Sequence, residues 1–324
     1  DDLVKQVELR RKRTKWTASF TTGFQFDTNR NAAAAGKQRL ASGAATDLTG
    51  NSKLRRDTSF LGVSTLEAEH DLGTQAGHLL LGSLTHYIAE QTSVDDLDLQ
   101  SFSGDVGLLL KTKWANLTPK LAASHVTLSR ETYQVTNSGS LLVERTLTPR
   151  IGVSLEGSWA HEDFNGIVEN SAAPERKGDH VTGILTNTFL LSPSMQYELG
   201  LTYDYKNAKE AYWAYEGYTV DNSLTWVLPK SQFVVNSLSY ERNVYDELDP
   251  AVSARRRRDE TFRYRITYGL PASAIVPSKL VPRAITKDMT AVAYYEQTRS
   301  LSNIMNFTYT NYKFSMMLTK RIEF

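Results

Sequence analysis

The residues of this 324-residue chain whose pattern could do chemistry are few, and the densest group is a run of four arginines, Arg255, Arg256, Arg257 and Arg258. A guanidinium fork matches phosphate bidentately, so the run could contact the phosphates of lipopolysaccharide or another membrane lipid. A solvated charge run in a loop is the plain alternative. Asp95, Asp96 and Asp98 could hold a divalent cation, but they lack the glycine and distal glutamate of a calcium loop. The histidines, His70, His78, His86, His125, His161 and His180, show no metal-ligand spacing. His161-Glu162-Asp163 offers a base where a strand enters a loop. No Gly-x-Ser-x-Gly turn, phosphate loop or dinucleotide fingerprint accompanies it. The expectation is a protein that is not an enzyme and uses no cofactor and no metal.

The elements that would position these residues are strands. Formal net charge is +1, which gives no bulk attraction to nucleic acid, and none is expected as a partner. Mean hydropathy is −0.39, and no run approaches the roughly 18 apolar residues of a spanning helix. A β-barrel with alternating lipid-facing and polar residues stays compatible with such a value. The absence of cysteine excludes disulfide scaffolds and cysteine-based metal sites. The 16 tyrosines, 12 phenylalanines and 5 tryptophans favour strands.

Residues 313–324 alternate at period two. Phe314, Met316, Leu318, Ile322 and Phe324 share one face with Lys320; Lys313, Ser315, Thr319, Arg321 and Glu323 share the other with Met317. Residues 15–27 alternate likewise, with Trp16, Phe20, Phe24 and Phe26 on one face. Similar segments recur along the chain, giving about 14 strands (12–16) in a closed antiparallel all-β barrel of meander topology. Connections alternate between short turns, assigned to Gly73, Pro119, Pro149, Pro193 and Pro229, and longer polar loops such as residues 28–57. That asymmetry is the one seen in outer-membrane barrels. A small polar break at Asn137-Ser138-Gly139 separates segments 120–135 and 141–148. Residues 269–286, with Pro271, Pro277 and Pro282, make a long excursion on the short-turn side. Trp16, Trp114, Trp159, Trp213 and Trp226 near strand ends suit interfacial belts.

With these features the chain resembles a Gram-negative outer-membrane β-barrel. Gly23-Phe24-Gln25-Phe26-Asp27-Thr28-Asn29, together with Ser302-Asn303 and Tyr309, resembles the opening and ending of the surface lipoprotein assembly modifier barrels, which follow tetratricopeptide helices. The resemblance implies an outer-membrane location and a terminal strand, with Phe314, Leu318, Ile322 and Phe324, read by the barrel assembly machinery. It also implies a periplasmic or upstream helical-repeat domain as a partner, with residues 1–14 as a periplasmic stub and 15–324 as the barrel.

A barrel of this size predicts a polar lumen. Its expected lining includes Lys15, Gln25, Lys111, Glu144, Arg150, Glu156, Glu198, Asp204, Arg263, Arg265, Lys313 and Arg321. Both signs of charge suit either a polar pore or export conduit, or a salt-bridged packed interior that docks a periplasmic partner. A barrel-embedded hydrolase and a soluble β-sandwich are the remaining readings.

Overall fold

The computed structural model describes residues 12–39, 43–168, 170–275 and 286–324. Most of the stub at residues 1–14, and Pro277 and Pro282 of the excursion, lie outside the described residues. Fourteen strands close into one barrel: β1 (Thr14–Asp27), β4 (Asp57–Asp71), β5 (Leu79–Gln91), β6 (Leu99–Lys111), β7 (Asn116–Leu128), β8 (Glu131–Thr148), β9 (Ile151–Phe164), β10 (Gly178–Ser192), β11 (Met195–Lys206), β12 (Tyr215–Leu228), β13 (Gln232–Tyr245), β14 (Arg258–Pro271), β15 (Met289–Ser302) and β16 (Tyr309–Glu323). A small hairpin of β2 (Lys37–Arg39) and β3 (Ala45–Asp47) lies in the loop between β1 and β4. Every barrel neighbour is antiparallel, and β1 pairs with β16 to close the sheet. Closure leaves no strand edge, so the ladder hydrogen bonds run around the whole circumference.

The register assigns each side chain to a face. Gln25 and Ser315 pair directly, as do Phe24 and Met316, so their faces alternate across the seam. On the first face Ser59 and Ser315 are wholly buried and Asp27 nearly so. On the second, Phe20, Phe24, Phe102, Leu121, Leu155, Tyr218 and Met316 are exposed. Polar groups therefore line the interior and large apolar side chains the exterior, the reverse of a water-soluble domain. Phe314, Leu318 and Ile322 fall on the outer face of β16 by this register, and Phe324 exchanges main-chain hydrogen bonds with Trp16 at 3.0 and 3.1 Å. Lys320, also outward, reaches back to donate to the Lys287 carbonyl.

Connections of β4–β5, β6–β7, β8–β9, β10–β11 and β12–β13 are tight and share an end with the first residue of β1 and the last of β16. The opposite end carries longer connections apart from the two-residue β7–β8 turn, and the long β14–β15 connection lies with the tight turns. Two details depart from the sequence reading. Residues 137–140 lie within β8, whose first residue, Glu131, follows a two-residue turn at Ser129 and Arg130, both at positive φ of 51° and 66°. Pro119 sits inside β7, not in the preceding turn. Having no N–H, it interrupts the pairing with β6, whose register runs from Gly107↔Lys120 to Leu110↔Leu117 with nothing between.

Candidate functional site

Inward side chains at one level form a charged line across the seam. Arg265, Glu296, Lys313, Asp27 and Asp57 are register partners on β14, β15, β16, β1 and β4 in turn. The Arg265 Nε donates to Glu296 at 2.8 Å, and Lys313 Nζ lies 3.4 Å from the other Glu296 oxygen. Glu296 is 3% exposed, whereas Arg265 keeps 45% of its side chain accessible. The carboxylate is thus spent on holding two cations, and the Arg265 guanidinium is left presented to the lumen. Its plane also lies over Tyr294, 4.9 Å away, whose hydroxyl donates to Gln25 at 2.8 Å.

A second group gathers at the loop end of the opposite wall. Lys206 on β11 pairs with Glu162 on β9. His180 on β10 stands between Glu162 and Asp204, at 3.4 and 3.2 Å. Above them Arg176 stacks on the Trp213 ring at 4.1 Å. Arg257 reaches in from the β13–β14 loop. It packs over Phe307 at 3.4 Å and Tyr245 at 4.5 Å, and its Nε donates to Asp259 at 2.8 Å. A cavity of about 250 Å³ opens among Glu162, Arg176, His180, Lys206, Trp213 and Tyr245. Outside the strands, the Tyr212 phenol is pushed up to about 12, first by desolvation and then by its hydrogen bond to Glu175. Cations here are sandwiched by rings or held by carboxylates, so the wall presents both charges and flat aromatic faces to anything in the lumen.

Long connections tie into this mouth. Asp57 accepts from Thr92 Oγ1 at 2.6 Å and from the Val94 amide at 2.8 Å, which fastens the β5–β6 loop. The loop after β1 is strapped on two sides. Ala35 N donates to Thr308 O at 2.8 Å, and Arg55 forks onto Asp96 at 2.7 and 2.9 Å. Asp98 accepts from the Gln91 amide at 2.7 Å. Two of the three aspartates weighed as a cation site are therefore committed to holding loops, and no three His, Cys, Asp or Glu side chains converge for a metal among the described residues.

Of the residues expected in the lumen, all but Arg150 lie on the inner-face register. Arg150 occupies the exposed β8–β9 turn, because β9 starts one residue later than the alternation implied. The structure brings Gln25, Arg263, Arg265 and Lys313 together at the loop end of the seam side, leaves Lys15 and Arg321 at the other end of the seam, and spreads the rest. Glu296, Lys206 and Arg176 have no place in the sequence reading, while His180, which shows no metal spacing there, bridges two carboxylates, and Trp213, expected in an interfacial belt, stacks with Arg176 at the mouth. For Glu296 the signal was present, since its parity on β15 matches Arg265 across the ladder. The four arginines do not form one patch: Arg257 turns inward, Arg258 begins β14 facing out, and Arg255 and Arg256 stay exposed on the loop.

No family model matches the chain. No curated protein matches it either. Among solved structures it is similar to the outer membrane protein OpdK of Pseudomonas aeruginosa, at 8% identity and a TM-score of 0.42, covering 96% of this chain and 99% of that one. It is also similar to OccAB3 of Acinetobacter baumannii, at 8% identity and a TM-score of 0.45 with the same coverage. OpdQ of Pseudomonas aeruginosa aligns over 96% of this chain and 99% of its own at 8% identity and a TM-score of 0.41. The barrel itself rests on its own strand pairing.

Proposed function

We propose that the protein is a pore for polar solutes in the Gram-negative outer membrane. One observation carries the reading: the polar inner wall is wetted. Asp105, Lys120, Glu156 and Thr202, on strands β6, β7, β9 and β11, point inward and each remains partly accessible to solvent. A compact protein of 36.4 kDa exposes about 13,000 Å². This one exposes 19233 Å², as a hollow cylinder with an outer and an inner surface does. The apolar exterior supports burial in hydrocarbon, where only closed sheets and helices satisfy their backbone. Such a wall serves small polar solutes, with uptake or export set by their gradients. The outward Phe314, Leu318, Ile322 and Phe324 are the surface offered to an assembly machine.

Conductance of single molecules in planar bilayers tests the pore. Stepwise, ohmic current is expected. A barrel that inserts without current has a packed interior and serves instead as a platform for a partner. The resemblance of short motifs to the assembly modifier barrels is matched by no family model and carries no part of the proposal; export, the other direction of traffic through the same pore, predicts co-purification with a secreted protein.

A further inference from the structure

The arginine run looks like a solvated loop in the sequence, yet its backbone is fastened. Asn303, in the β15–β16 loop, accepts from the Arg258 amide at 2.8 Å, donates from Nδ2 to the Arg256 carbonyl at 2.8 Å, and its own amide donates to Arg258 O at 3.1 Å. Arg257 is anchored between these bonds by Asp259 and the rings of Tyr245 and Phe307. Strand alternation then forces Arg258 outward. Two further exposed arginines share that outer face: Arg242 on β13, opposite Glu260, and Arg299 on β15, opposite Phe262. Arg242 and Arg258 are diagonal neighbours, and Arg299 lies one outward position below the Glu260 level, so three guanidinium groups surround a single carboxylate. The net charge of this patch is positive. Immediately below it stand Tyr240, Phe262, Tyr264 and Tyr295, an apolar wall on which an acyl chain can lie.

We infer that Arg242, Arg258 and Arg299 form a site for a phosphate-bearing lipid headgroup at the loop-side membrane boundary. Asn303 and Arg257 act as positioning residues. Guanidinium forks take the phosphate oxygens in pairs, and the aromatic wall below takes the chains, so the site selects a membrane-embedded phosphate over a free one. This reading rests on the pore being a membrane barrel, since a soluble protein would have no lipid at that face.

The test uses the full chain refolded into phosphatidylcholine vesicles with or without lipid A, re-extracted in mild detergent and assayed for bound lipid by native mass spectrometry. Wild type is expected to retain lipid A. The triple variant R242Q/R258Q/R299Q is expected to retain at least tenfold less, with heat-modifiable migration intact as the check on folding. N303A, which leaves all three guanidinium groups in place, is expected to retain an intermediate amount. Millimolar inorganic phosphate is expected not to displace the lipid. Equal retention by wild type and the triple variant overturns the site, and displacement by inorganic phosphate overturns the lipid as its ligand. Failure of the membrane reading is distinguishable, because the chain would then enter neither vesicle.

Discussion

Gly23 faces Met317 across the seam with no space for a side chain: a Cβ at Gly23 would overlap the Met316 carbonyl oxygen and lie 2.8 Å from both the Cα and the Cγ of Met317. The two are register partners on the inner face of β1 and β16. Met317, which broke the polar pattern of its strand in the sequence, fills the hollow that the missing side chain leaves. Substituting Gly23→Val overpacks the joint, at a cost of about 1–3 kcal/mol. The expected outcome is a smaller heat-modifiable fraction in SDS gels than wild type refolded in parallel, and M317A on the G23V background should restore little of it, because the nearest contacts are with the backbone of β16.

The Asp27-Thr28-Asn29 segment acts as a latch above that joint. Asn311 Oδ1 accepts from the Asn29 amide at 2.9 Å and from Thr28 Oγ1 at 3.1 Å, and the Asn29 side chain and Ala33 exchange hydrogen bonds at 2.9 Å. Each bond contributes about 0.5–1.5 kcal/mol. N311A is expected to raise the rate of limited proteolysis between residues 28 and 57 while leaving cleavage elsewhere unchanged. Equal cleavage in both proteins would show that the loop is held by other contacts.

Glu296 pairs with both Arg265 and Lys313 on the inner wall and offsets one of their two charges. E296Q keeps the shape and removes the charge, so the barrel interior gains one net positive charge. Under a potassium chloride gradient the reversal potential should move toward anion selectivity, and R265Q should move it the other way. Opposite signs in the two variants are the decisive feature, since a general loosening would move both alike. Removing one partner of this half-buried set is also expected to destabilise the barrel by about 1–3 kcal/mol.

Arg257 holds the Asp259 carboxylate, which is 6% exposed, and seals three rings. R257M keeps the packing volume but strands that charge, at about 3–5 kcal/mol for a fully buried pair and less here because the mouth is wet. Trp213 lies 5.9 Å from the Arg257 guanidinium and should report the change by a red-shifted emission. The double variant R257M/D259N should recover much of the lost stability.

Alternation alone exposed the strands, because one face meets hydrocarbon and the other water along nearly every one of them. It failed where backbone conformation was not written in residue type. Ser129 and Arg130 take left-handed φ without a glycine, so the turn was placed instead at the small polar residues 137–139, which in fact continue β8. Pro119 reads as a turn residue but faces outward beside Leu141, where a missing N–H is tolerated. The mouth was the least legible part. Arg176, Trp213, Arg257 and Phe307 come from four separate connections, and only their convergence reveals that one arginine of the run is an internal anchor.

The seam also governs how the chain must fold. Thr21 and Thr319, hydrogen-bonded at 2.8 Å, are 298 positions apart, while all other neighbouring barrel strands are successive in the chain apart from the β2–β3 hairpin. Hairpins can form locally and early, but this last pairing recovers its loop-closure entropy only when the whole sheet has curled. Until then β1 and β16 are two bare edges, each able to capture a strand from another chain. Closure is therefore the longest-range pairing of the sheet and the aggregation-exposed one. Its kinetics depend on how quickly those two strands meet, more than on the stability of any hairpin between them.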